Sequence, residues 1–267
     1  MSIVLENLRR DTRVRVETDY EMSPAWILVP LIPLIAGILF VVLFFSAFLA
    51  VVTAPMPPGG PPPTIGAELA AFIGLLFTSI FLVGFVASIL YVYMLYKLIN
   101  RRNKHFQRQG FLYDDLANMA RELAAKKGVD ISINLNNMQR ASQETRYEET
   151  EKSAALWAIV TFFIGITGLY VYYFLMKDFY KHERREDMFI DDLNRALMAA
   201  GVTINLPRRT LPVPDRSFVL YFILTIITLG VFSIYWLYVL LMDPNSHFRQ
   251  QALTEDTILA QVTPLMA

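Results

Sequence analysis

Residues 235–247 read YWLYVLLMDPNSH. An apolar, aromatic run closes on Asp243-Pro244, and a histidine stands four residues after the aspartate. The chain has three histidines, His105, His182 and His247. Aligned on them without a gap, Tyr93, Tyr170 and Tyr235 fall twelve residues before, and Tyr96, Tyr173 and Tyr238 nine before. Asp114, Asp191 and Asp256 fall nine after, and Leu116, Leu193 and Ile258 eleven after. So many coincidences in one register indicate an internal threefold repeat. Each unit reads as an apolar segment, Tyr-x-x-Tyr, a histidine, and a helix with an apolar stripe. Asp178 and Asp243 precede their histidines by four residues, whereas the first unit has Arg101 there.

Composition decides the class. The 267 residues are 55% hydrophobic and 18% charged, with a mean hydropathy of +0.40. The apolar residues bunch into four runs, at 25–54, 67–96, 154–176 and 217–242. Each exceeds the ~18 uncharged residues that suffice to cross ~30 Å of hydrocarbon. The expectation is an all-α integral membrane protein in the cell membrane. There is no cysteine, which excludes disulfides, thiol catalysis and Cys-ligated metal within the chain. Zero formal net charge supplies no bulk field toward nucleic acid.

The spacing divides the chain as follows. Residues 1–24 read as a charged cytoplasmic arm, with a weak strand-like alternation at Val14-Arg15-Val16. Residues 25–54 read as a first membrane helix, opened by Ser23-Pro24, with Trp26 at the interface. Residues 55–66 are Pro-rich and lack Lys and Arg, which points to a non-cytoplasmic turn. Unit 1 occupies 67–133, a polar linker 134–152, unit 2 153–206, a Pro-containing linker 207–216, and a shortened unit 3 217–267. Tyr93, Tyr96, Tyr170, Tyr173, Tyr235, Trp236 and Tyr238 read as an aromatic interfacial belt. Asp243-Pro244 reads as the start of a separate short helix carrying His247.

Topology is in conflict. Four spans put the N-terminus and 97–152 in the cytoplasm but leave Lys177, Lys181, Arg184, Arg185, Arg195, Arg208, Arg209 and Arg216 outside, against the positive-inside trend. The alternative makes 154–176 and 217–242 re-entrant hairpins that break at their central Gly/Thr clusters, Gly165-Ile166-Thr167-Gly168 and Thr225, Thr228 and Gly230, leaving two spans. The backbone at such breaks must be buried or satisfied.

The stretch TIITLGVFSIYWLYVLLMDPNSHFRQQ, with Thr228, Gly230, Val231, Ile234, Tyr235 and Trp236, resembles a family of uncharacterised prokaryotic membrane proteins. Their mark is Thr-x-Gly-(Ile/Val)-x-x-(Ile/Leu)-Tyr-Trp in an apolar segment. The second unit keeps Gly165, Ile166, Leu169 and Tyr170 but has Phe163 and Val171 at the Thr and Trp positions. The resemblance implies a membrane location and no activity.

Two functions follow from the residues. In the first, the stripes Leu112, Leu116, Leu123 and Phe189, Leu193, Leu197 form amphipathic arms. They must be buried against a sibling arm, the membrane or a partner, so the chain reads as a non-enzymatic scaffold, with a protein partner or a second copy as occupant. In the second, His105, His182 and His247 converge on one metal ion, with Asp178 and Asp243 orienting two of the rings. The repeated acids at 114–115, 191–192 and 256 read as helix-start residues rather than catalytic carboxylates. No ionisable residue lies at mid-depth in any apolar run, which argues against a charge-coupled carrier. No nucleotide-binding or hydrolase motif occurs, and the sequence names no cofactor.

Overall fold

The computed structural model describes residues 2–53 and 66–266. The Pro-rich turn expected at 55–66 lies almost wholly outside them. Among the described residues the chain is all-helical. The helices are α1 (Ile3–Thr18), α2 (Leu28–Val52), α3 (Ala67–Lys127), α4 (Ser132–Glu148), α5 (Ala154–Phe163), α6 (Thr167–Ala199), α7 (Phe218–Ile227) and α8 (Phe232–Met266). The chain divides into two compact units, Ala25–Met94 and the combination of Met1–Pro24 with Leu95–Ala267.

The smaller unit holds α2 and the apolar part of α3. Among the described residues two helices are long and apolar enough to cross a membrane, Pro24–Val52 and Leu69–Lys127. A 3₁₀ turn, Pro24–Ile27, leads into α2, so the expected start at Ser23-Pro24 is met by a tighter turn. Pro33 sits inside α2. Trp26 and Tyr93 meet at 6.0 Å, and Phe40 contacts Phe77 edge-on at 5.0 Å. Outside such contacts the surface is bare hydrocarbon, with Leu39, Phe45, Phe81 and Leu82 all exposed.

The larger unit holds the core. Leu5 and Leu8 of α1 pack with Leu112, Tyr113 and Leu116 of α3, Met138 of α4, Phe189 and Leu193 of α6, and Ile258 and Val262 of α8. The stripes expected to receive a partner are therefore covered by one another. Leu112, Leu116, Leu123, Phe189, Leu193 and Leu197 are all 2% exposed or less. A docking partner cannot reach them in the folded chain, because the sibling arms bury them first.

Three segments expected to be irregular or separate are regular helix. The N-terminal arm is α1, capped by Ser2, whose hydroxyl accepts from the Val4 amide. The polar stretch 134–152 is mostly α4. Its buried side is Met138, Ala141, Ser142 and Thr145, a helical stripe made of small and polar residues that a hydrophobicity count passes over. The arm at 112–127 is the continuous end of α3 rather than a separate helix.

The two shorter apolar runs are not single helices. α5 turns back onto α6, with Trp157 against Tyr170 at 4.8 Å and the Thr167 hydroxyl 3.3 Å from that of Thr161. α7 turns back onto α8, with Phe232 and Tyr235 packed against Tyr221. Both helices open on a serine cap, Ser153 and Ser217. The second turn passes through Leu229 at φ 51° and Gly230 at φ 93°. Both lie in the left-handed region, where glycine is at ease and leucine is not. Trp236, expected at an interface, is buried against Tyr172 and Phe218.

α8 runs unbroken through Asp243-Pro244, where a separate helix was expected to begin. A proline inside a helix removes the amide that should reach the carbonyl four residues back. Here that carbonyl belongs to Leu240, and the Arg101 guanidinium donates to it at 2.8 Å and to Leu241 O at 3.1 Å. Arg101 also donates to Asn245, which in turn exchanges two hydrogen bonds with the Met22 backbone. Arg101, which stands where the other two histidines have an aspartate four residues before them, thus repairs α8 at its proline.

This pairing predicts a coupled effect. Arg101→Met should cost about 1–3 kcal/mol by stranding the Leu240 carbonyl. Pro244→Ala restores the missing amide, so Arg101→Met should cost measurably less on that background. A double-mutant cycle by thermal unfolding in detergent measures the coupling, and additive effects would contradict the pairing.

Candidate metal centre

The three histidines meet. His105 on α3, His182 on α6 and His247 on α8 are each 0% exposed. His105 Nε2 lies 3.2 Å from His182 Nε2 and 3.2 Å from His247 Nε2. The three potential ligand nitrogens all fall within 4.8 Å of one another. Tetrahedral bonds of ~2.0–2.1 Å to zinc would separate two imidazole nitrogens by about 3.3 Å. The spacing of these rings therefore matches a shared ion.

The far side of each ring is tied to a carboxylate. His182 Nδ1 is 2.9 Å from Glu149 Oε2, and His247 Nδ1 is 3.0 Å from Glu183 Oε2. His105 Nδ1 lies 3.0 Å from Asp19 Oδ1, an ion-pair contact without the alignment of the other two hydrogen bonds. With a proton on each Nδ1, every Nε2 turns a lone pair inward, as in carboxylate–histidine–metal triads. Each carboxylate is in turn held by an arginine. Arg108 holds Asp19 at 2.7 Å, Arg185 holds Glu149 at 2.7 Å, and Arg209 holds Glu183 at 3.0 Å.

Asp178 and Asp243, expected to orient two rings, do not. Asp178 pairs with Arg102 at 2.7 Å, and Asp243 binds Arg216 through both oxygens at 3.0 Å. One helical turn before a histidine, an aspartate sits beside the helix rather than across from the ring. The orienting groups come instead from elements docked against the histidine helices. Asp19 is the C-cap of α1, and Glu149 is the C-cap of α4. Repeat spacing could not reveal these two. Glu183 had a signal, because it follows His182 where the other units carry Phe106 and Phe248 after their histidines.

Those phenylalanines wall the site. Phe106, Phe179 and Phe248 form a small buried cluster with Val213. Phe106 stacks on His182 at 4.5 Å, and Phe248 lies 4.7 Å from His105. On another side Glu186, also buried, brings Oε2 to 3.9 Å from His247 Nε2. Glu183 and Glu186 share one guanidinium, that of Arg209.

The electrostatics follow from burial and these partners. Burial pushes the Asp19 carboxyl up, but His105 and Arg108 outweigh it and hold Asp19 well below the usual carboxylate range. Glu149 is likewise lowered, with His182 and Arg185 overcoming burial. Glu186 is lowered against its burial by His247 and Arg209. Burial pushes His105 down to about 4, despite the pull of Asp19. A neutral imidazole beside ionised carboxylates is the state a metal ion requires.

Residues 216–263 match the model of a family described as a domain of unknown function, DUF4234. The DUF4234-like stretch takes in α7, its turn and α8 as far as residue 263. It includes one of the three histidines. No curated protein and no solved structure matches the chain.

The depressed His105 sets a pH dependence. In the folded state the ring is held neutral, while in the unfolded chain it takes a proton near its ordinary value of 6.5. Its contribution to stability is full above pH 6.5 and is lost as pH falls toward about 4. The metal-free protein in detergent should therefore melt at progressively lower temperature across that window. His105→Gln should flatten this part of the profile, and an unchanged slope in the variant would assign it to other groups.

Proposed function

We propose that this chain is a membrane-anchored metal-binding protein in which His105, His182 and His247 hold one divalent first-row ion, zinc being the reference. The observation that carries the reading is the convergence of three Nε2 atoms whose rings are each backed by a carboxylate. Three inward lone pairs at this distance repel one another, and a cation removes the repulsion. Imidazole ligands suit zinc, copper, nickel and iron, and geometry and availability select among them. Full burial gives a substrate no route to the ion, so its role is structural: it ties α3, α6 and α8 together. Glu186 is the nearest candidate for a fourth ligand.

The membrane location rests on the length and apolar surface of α2 and the first part of α3. If α5 and α7 return to the side they left, all 24 Lys and Arg residues share that side, which the positive-inside trend makes cytoplasmic. The internal repeat accounts for the arrangement, each unit supplying one histidine. The scaffold reading is the less favoured, because the stripes it relied on are buried within the chain. A lipid bilayer remains the one partner that the exposed apolar surface demands.

The purified protein, loaded with zinc and dialysed against a weak chelator, should retain about one equivalent by elemental analysis. His182→Ala should retain almost none. Glu149→Gln, which keeps the ligand but weakens its orienting carboxylate, should lower affinity by roughly 10–100-fold. Failure of the unaltered protein to hold metal would overturn the reading. Sidedness is tested separately with single cysteines at the exposed positions Gln139, Asp191 and Leu253. All three should resist an impermeant maleimide on intact cells and react after lysis; labelling of position 191 alone would restore four spans.

A further inference from the structure

The turns at the ends of α5 and α7 carry an exposed apolar surface that the metal site does not use. Phe163 is 77% exposed, Ile166 74% and Leu229 95%, with Ile164, Ile227 and Val231 exposed beside them. No charged residue occurs anywhere in 154–176 or 217–242. In water two such tips would be a severe liability. We propose that the two hairpins are wedges that enter a single leaflet of the bilayer from the side of the metal centre and turn back at its midplane. The proposal rests on the membrane location argued above.

Length supports a leaflet rather than a crossing. α5 and α7 have 10 residues each, which is ~15 Å of helix against a ~30 Å hydrocarbon core. The backbone at the turns is prepared for lipid, where unpaired polar groups are costly. In the first, the Thr167, Gly168 and Leu169 amides donate to Ile164, Gly165 and Ile166 carbonyls. In the second, the Gly230, Val231 and Ser233 amides donate to Thr225, Thr228 and Gly230 carbonyls, and the Phe232 amide donates to the Thr228 hydroxyl.

Both wedges point the same way. Tyr172 of α6 and Trp236 of α8 touch at 5.3 Å, and Tyr173 meets Phe218 of the other hairpin at 5.3 Å. From that shared level both helices run on to the histidine cluster. Tyr170, Tyr173, Tyr235 and Tyr238 remain between 42% and 46% exposed, one to two turns below the tips. At 1.5 Å per residue the rings of Tyr173 and Tyr238 stand ~10 Å from the tips, on the approach to the headgroups that a tyrosine's polar end favours. His182 and His247 each stand sixteen residues beyond Ile166 and Val231, about 24 Å along the helix. That places the metal centre outside the hydrocarbon, while the tips reach its middle.

The test uses the full protein in lipid nanodiscs, with nitroxide labels on single cysteines at Ile166, Val231, Tyr173 and Tyr238. Leu39 and Phe81, exposed on the long helices, serve as controls. Collision with oxygen relative to a nickel chelate reports depth. Positions 166 and 231 should show the high ratio of the controls, and positions 173 and 238 a lower one. Aqueous readings at 166 or 231 with lipid readings at the controls would overturn the wedges alone. Low collision with both reagents there would mean protein covers the tips, and would also overturn them. Aqueous readings at the controls would instead remove the membrane location itself. A cysteine at 231 that reacts with impermeant maleimide from outside intact cells would show a crossing and defeat the proposal.

Discussion

Three buried imidazoles, with His105 Nε2 3.2 Å from that of each of the other two, set the terms for the rest of the larger unit. Each ring needs an acceptor behind it, each acceptor is a carboxylate, and a buried carboxylate needs a cation. The chain meets this with Asp19, Glu149 and Glu183 and then with Arg108, Arg185 and Arg209. Desolvating such groups costs several kcal/mol per ion, and removing one partner from a buried pair typically costs 3–5 kcal/mol. The core is therefore committed to one arrangement of α1, α3, α4, α6 and α8. The leucine stripes add burial, but hydrophobic contact alone would tolerate sliding that this network does not.

The network also explains why two helices that look dispensable are present. α1 and α4 each place a carboxylate at their last turn, and each reads as tail or linker by composition. Their apolar contribution is modest: Leu5 and Leu8 from one, Met138 and Ala141 from the other. Their position is fixed as much by Arg15 on Glu255 and Arg185 on Glu149 as by packing.

What the sequence disclosed was whatever fell in register with the three histidines. Alignment on the histidines exposed the three residues that converge, and the glycine and threonine clusters marked where two apolar runs turn back. The stripes were legible as apolar faces but not their occupant, since a periodic face says only that something covers it. Asp178 and Asp243 misled because spacing along one helix cannot show which group lies across from a ring on another. Asp19 and Glu149 fall outside the repeated register altogether. Arg101 registered as a departure, and its role required knowing that Pro244 lies inside a helix.

Asp19 and Glu149 share one further property. Each sits at the carboxyl end of its helix, where the backbone already carries about half a negative charge and an acidic side chain is the least welcome kind. Two helix ends thus add their own field to the acids they bear, one facing His105 and the other His182. The site behaves as an electrostatic sink built from backbone as well as side chains. A metal ion held there as proposed would have to compete with protons for the same nitrogens.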